Sequence, residues 1–149
     1  MKKKNTRRIL LGLIFVLAAM QFIQPAKTNP TDPAEQDFAN VYDIDAVDME
    51  IIHKACYDCH SNETVWPWYS NVAPASYVVV NHVNDARKHL NFSKWGSYAA
   101  DRKDHKLEEC VEEVESGEMP MSSYILAHSE ARISAEERAR LVELFKSLR

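Results

Sequence analysis

The sequence predicts an all-α domain, and three observations carry that expectation. Only three glycines occur in 149 residues, too few for the frequent turns of a sandwich or barrel. Charged residues make up 27% of the chain and hydrophobic residues 46%. That apolar share, with its tryptophans and tyrosines, excludes a largely disordered polymer. From Asp45 onward the apolar positions recur at helical spacing. The length suits a single domain.

Before any helix of that domain comes a basic, apolar leader. Lys2, Lys3, Lys4, Arg7 and Arg8 stand before Pro25 without an acid, which leaves 13 basic and 22 acidic residues from Pro25 onward. A body with a balance of -9 would repel phosphates, so nucleic acid is excluded as a partner. Ile9 to Met20 is an unbroken apolar run, extended by Phe22 and Ile23. Residues 1–24 read as a signal peptide or signal-anchor helix, with the basic end remaining in the cytoplasm. The run is shorter than the ~20 residues of a spanning helix. The absence of a small-residue pair well past the run favours an uncleaved anchor over a removed signal. Either outcome puts the rest of the chain outside the cytoplasm, in the periplasm, with the membrane reached through the N-terminal segment.

Residues 25–44, with Pro25, Pro30 and Pro33 among Thr, Asn and Asp, are expected to form a tether or extended arm. The working domain then covers residues 45–149. Val47, Ile51, Ile52 and Ala55 share one face of a first helix running toward Cys56. An aromatic and proline-rich loop, Trp66 to Pro74, follows it. A second helix is expected from Ala75 to Leu90, with Val79, Val83, Ala86 and Leu90 on one stripe. The valine run leaves a strand at Tyr77 to Val80 as the alternative. Asn91 to Tyr98 is a second aromatic loop. A third helix, Asp101 to Ser116, buries Leu107, Cys110, Val111 and Val114 and stops at Gly117. Ser134 with Glu137 makes a capping box for a last helix, whose buried stripe is Leu141, Val142, Phe145 and Leu148.

The chemistry lies in Cys56-Tyr57-Asp58-Cys59-His60, a CxxCH sequence and the attachment signature of a c-type haem. Two thiols three positions apart on one turn can each form a thioether to one edge of a porphyrin. The histidine that follows supplies an axial nitrogen. The fold class is thereby narrowed to a small, cytochrome c-like helical domain around one covalent haem, held through Cys56 and Cys59. A thioredoxin-like pair belongs in a βαβ context that is absent. A zinc site needs two further ligands at finger spacing, which Cys110 and the scattered histidines do not supply.

The sixth ligand decides the function. Beyond the motif the only methionines are Met119 and Met121, in Gly117-Glu118-Met119-Pro120-Met121. A stiff loop carrying a thioether is what His/Met ligation requires, so His60 and Met119 are the expected metal ligands, with Met119 ahead of Met121. His53, His82, His89, His105 and His128 are the imidazole rivals. Trp66, Trp68, Tyr69 and Trp95 are expected to cover the haem faces. Cys110, on the apolar face of the third helix, is expected to be a buried free thiol. Glu108, Glu109, Glu112, Glu113, Glu115 and Glu118 make an acidic face that could steer a basic redox partner. No nucleophilic or proton-transfer constellation is legible, so the chain is not expected to be an enzyme.

Ala55-Cys56-Tyr57-Asp58-Cys59-His60-Ser61-Asn62-Glu63-Thr64, Trp66-Pro67-Trp68-Tyr69-Ser70, His89-Leu90-Asn91-Phe92-Ser93-Lys94-Trp95 and Gly117-Glu118-Met119-Pro120 together resemble a small CxxCH haem-binding domain of exported bacterial proteins. The resemblance spans roughly residues 46–145. It implies one haem c on Cys56 and Cys59, His60 as proximal ligand and Met119 as distal ligand, with no defined substrate. The expectation is an anchored single-haem electron carrier serving redox partner proteins. A five-coordinate haem sensor or peroxidase-associated domain, and a CxxC redox disulfide protein without haem, are the alternatives.

Overall fold

The computed structural model describes residues 2–149, and among these every regular element is helical. The leader forms α1 (Lys2–Met20). Its apolar side chains project on all sides and are exposed from Ile9 to Leu17. Among the described residues no helix is long and apolar enough to cross a membrane.

Of the two forms expected for the proline-containing segment, tether or extended arm, it takes that of an arm fastened to the domain. Arg87 donates to the Thr28 carbonyl (2.7 Å) and to Asn29 Oδ1 (2.9 Å). Asn29 donates to the Thr64 carbonyl (2.9 Å), and Asn62 donates to Asp32. A 3-10 turn (Ala34–Gln36) leads into α2 (Phe38–Val41), which Asp37 caps by accepting from the Ala39 N–H at 3.0 Å. Phe38 is fully buried, in edge contact with Trp95 (4.9 Å) and Phe92 (5.1 Å). The core therefore begins at Phe38, seven residues before the boundary that periodicity suggests. The turn lies so close to the second aromatic loop that a Cβ on Gly96 would stand 2.6 Å from Gln36 Oε1.

Asp45 caps α3 (Ala46–Ile52) through the Val47 N–H at 2.8 Å. The helix continues through a π-helical turn (His53–Tyr57) into α4 (Asp58–His60). Ile51, Ile52 and Ala55 are buried as their spacing requires, but Val47 is exposed. Asp48 faces inward in its stead, because Arg140 engages both Asp48 and Asp45. A 3-10 turn (Trp68–Asn71) precedes α5 (Ala75–His89), and no strand forms at the valine run. After a 3-10 run (Phe92–Ser97), α6 (Ala100–Ser116) buries Leu107, Cys110, Val111 and Val114. Gly117 ends it in the left-handed region at φ 83°, which an L side chain rarely adopts. A short α7 (Ser122–Ala127), with no buried residue, precedes α8 (Ala135–Ser147). The Ser134–Glu137 capping box is complete.

The filled core lies where α8 packs along α6 and against α3. Its largest buried side chains include Phe38, Phe92, Trp95, Leu107, Leu141 and Phe145. Phe38→Ala should lower the unfolding free energy by about 3–5 kcal/mol, measured by urea denaturation. A segment that served only as a tether would show no change.

Candidate functional site

The site follows from how α3 and α4 end. The Ala46–Ile52 stripe faces the filled core, and the π-helical turn that follows it carries Cys56 and Tyr57, the first residues of the CxxCH segment. A π-turn adds a residue to the local repeat and is a frequent feature of functional sites. The chain leaves the helix at Ser61, which is extended (φ -141°, ψ 175°). Ser61, fully buried, donates to the Tyr57 carbonyl at 2.7 Å and so holds the end of the motif. Arg87 Nε donates to the Ser61 carbonyl at 2.6 Å.

Beside the motif opens a cavity of about 910 Å³, at the upper end of small-molecule sites. Close-packed interiors leave few voids larger than a water molecule, so this volume is built for an occupant. Cys56, Cys59, His60 and Met119 all line it. The stripe of α5 predicted as a packing face, Val79, Val83, Ala86 and Leu90, lines the same space. This stripe faces the cavity, while α5 packs against α4 and the Trp68–Asn71 turn.

His60 is held in one orientation. Its Nδ1 lies 3.3 Å from the Leu90 carbonyl oxygen. A carbonyl can only accept, so Nδ1 carries the proton and Nε2 keeps its lone pair. Such an outer hydrogen bond fixes both tautomer and ring orientation in histidine ligands. Burial holds the imidazole below its ordinary range, against the opposing pull of the Leu90 and Ala86 carbonyls. The neutral, ligating form is thus favoured. Both motif cysteines are free thiols. Burial pushes Cys56 up to about 12, with a further push from Cys59, and pushes Cys59 up to about 11.

Met119 is held on both sides of its backbone. Its N–H donates to the Glu113 carbonyl at 3.0 Å, closing the left-handed end of α6. Arg138 Nη1 donates to the Met119 carbonyl at 3.3 Å and also to the Val114 carbonyl. Met121 also lines the cavity, but it is exposed and sits as the N-cap of α7. Of the rival histidines, His82, His89 and His128 line the cavity. His53 stacks near Tyr57 (3.9 Å), and His105 pairs with Glu109 (3.2 Å) on an exposed face.

Of the aromatics in the two aromatic loops, Tyr69 and Phe92 line the cavity, whereas Trp66, Trp68, Trp95 and Tyr98 do not. Trp95 is fully buried in the filled core, between Phe38 and Tyr98 (5.8 Å), and does not reach the cavity wall. Trp66 is partly buried and outside the lining. Trp68 points to solvent, edge-on to Tyr69 at 5.8 Å.

A sequence profile described as a haem-binding domain matches residues 15–147. The chain belongs to the haem-binding domain family. No curated protein and no solved structure matches it significantly. The cavity of this haem-binding domain fits such a group on its own evidence. It is large, its lining is mostly apolar, and it carries imidazoles, two thioethers and three unpaired thiols, Cys56, Cys59 and Cys110.

Two polar contacts at the edge of this site were not anticipated. The Tyr124 hydroxyl donates to Asp58 Oδ2 at 2.7 Å, and Asp58 Oδ1 accepts the Val65 N–H at 2.9 Å. Tyr69 Oη lies 2.7 Å from His128 Nε2, and the Tyr124 and His128 rings stack at 4.4 Å. With no buried residue of its own, α7 is held to the motif of the haem-binding domain by these bonds. Asp58, one of the two residues between the cysteines, is the one signal in the sequence that could have suggested them. Tyr124→Phe should lower global stability by only about 0.5–1.5 kcal/mol, while amide hydrogen exchange in Ser122–Ala127 accelerates. Unchanged exchange there would show that packing, not the hydroxyl, holds α7.

Proposed function

We propose that this haem-binding domain is a single-haem c-type electron carrier with His60 and Met119 as axial ligands, working in the periplasm and attached to the membrane through its N-terminal segment. The observation that carries the reading is the convergence of Cys56, Cys59, His60 and Met119 around one cavity. Once bound, haem would supply a one-electron iron couple.

Each residue of the chain has a distinct task in this reading. Cys56 and Cys59 hold the group by thioethers. His60, oriented by Leu90, presents Nε2. Met119 presents its thioether from a backbone anchored at Glu113 and Arg138. The apolar stripe of α5 excludes water on its side, while α6 contributes Cys110 and Val114 together with the charged Lys106, Glu109, Glu112 and Glu113, and the polarity of these surroundings tunes a reduction potential. No side chain need move a proton, so the role is that of a carrier and not an enzyme. Against the redox-disulfide alternative stands the fold, because among the described residues no strand forms and the CxxC pair lacks the βαβ context of thioredoxin-like proteins. The acidic face of α6 suits a basic protein partner.

Protein matured with haem is expected to show a sulfur-to-iron charge-transfer band in its ferric spectrum. Met119→Ala should abolish that band, and Met121→Ala should retain it. A band absent from the wild type, with rapid carbon monoxide binding to the ferrous form, would replace this reading with the five-coordinate sensor.

A further inference from the structure

Charge is distributed unevenly along the chain. Between Arg8 and Lys27, and again between Glu63 and Asp85, there is no Asp, Glu, Lys or Arg, although such residues form 27% of the whole. The fold joins these two uncharged stretches. Gln21 donates to the Ala73 carbonyl (3.1 Å) and accepts the Ala73 N–H (3.0 Å). The Tyr77 hydroxyl donates to the Ile23 carbonyl, and Lys27 donates to Asn71. The end of α1 is therefore pinned to the segment that precedes and begins α5.

What this junction displays is apolar. Phe22 is 90% exposed, Trp68 77%, Val65 74%, Ile23 71%, Val78 53% and Val72 45%. Exposed apolar surface on this scale marks an interaction site. The occupant follows from α1. A helix docking into a protein groove keeps one polar face, whereas the apolar residues of α1 point outward on every side, as in a helix surrounded by lipid. Its first residues include Lys2, Lys3, Lys4, Arg7 and Arg8, which complement anionic headgroups. Tryptophan is the residue most at home at the lipid–water boundary. The helix by itself falls short of crossing a bilayer, so attachment gains from any apolar surface the domain adds.

We propose that Phe22, Ile23, Val65, Trp68, Val72 and Val78 form a seat that rests on the lipid surface beside α1. This rests on the proposed membrane attachment and not on the haem assignment. Val65 and Val78 also line the cavity, so the seat borders its mouth. With the arm clamped by Arg87 and the helix end by Gln21, the domain is held in one orientation and presents that mouth toward the membrane. A redox partner embedded in the bilayer is the class of protein this orientation would serve.

Amide hydrogen exchange of the full chain tests the proposal, with and without vesicles of phosphatidylethanolamine and phosphatidylglycerol. Peptides from α1 and from residues 65–78 should both exchange several-fold more slowly on vesicles. Trp68→Ser combined with Val72→Ser should restore exchange in 65–78 and leave α1 protected. Protection of α1 alone would keep the attachment and overturn the seat. No protection of either segment would overturn both. Protection of 65–78 that grows with protein concentration in the absence of vesicles would assign the surface to a second copy of the chain and overturn the lipid seat.

Discussion

Everything in this fold depends on a space that the protein does not fill with its own side chains. A chain of 149 residues gains stability by closing its apolar faces on one another, yet the stripe of α5 faces a cavity of about 910 Å³. The filled core of Phe38, Phe92, Trp95 and the α6–α8 pair adjoins it, with Phe92, Cys110, Val114 and Phe145 shared between core and cavity lining. The domain thus has two apolar centres, one made of side chains and one shaped for a haem. Its polar contacts hold the rim of the second. Arg87 ties the arm to the end of the motif, Arg138 fixes the carbonyls around Met119, and Asp58 receives Tyr124.

Much of the helical framework was legible because its signals are local. The α6 stripe, its stop at Gly117 and the Ser134–Glu137 box each lie within a few residues, and each is found as read. The arm was harder. Proline, threonine and asparagine carry no periodicity, and the clamp on them comes from Arg87, almost sixty residues away. Val47 failed the helical pattern for a related reason. Arg140, on the last helix, makes it favourable to turn Asp48 inward.

At the site, the residues proposed to carry the chemistry were more legible in the sequence than their surroundings. CxxCH is contiguous, so its three residues necessarily sit together, and Met119 follows from a stop signal and a proline. Aromatic residues carry no such address. Trp95 fits either a haem face or a core, and Phe38, hidden in the presumed tether, draws it to the core. Trp68 lies in a segment without charges and points outward beside the end of α1, where composition alone does not reveal a pairing. The short α7 escaped notice because it has no buried stripe and is held by hydrogen bonds from Tyr124 and His128.

The central claim is that Cys56 and Cys59 hold one haem through covalent bonds. The most direct measurement is peroxidase staining after denaturing electrophoresis, paired with a pyridine haemochrome spectrum of the same protein, matured with haem outside the cytoplasm. The account predicts a stained band at the mass of the chain, a haemochrome of the two-thioether type, and loss of both in the Cys56→Ala, Cys59→Ala double variant. A wild-type chain that releases its haem on denaturation, or that matures without any, would contradict it.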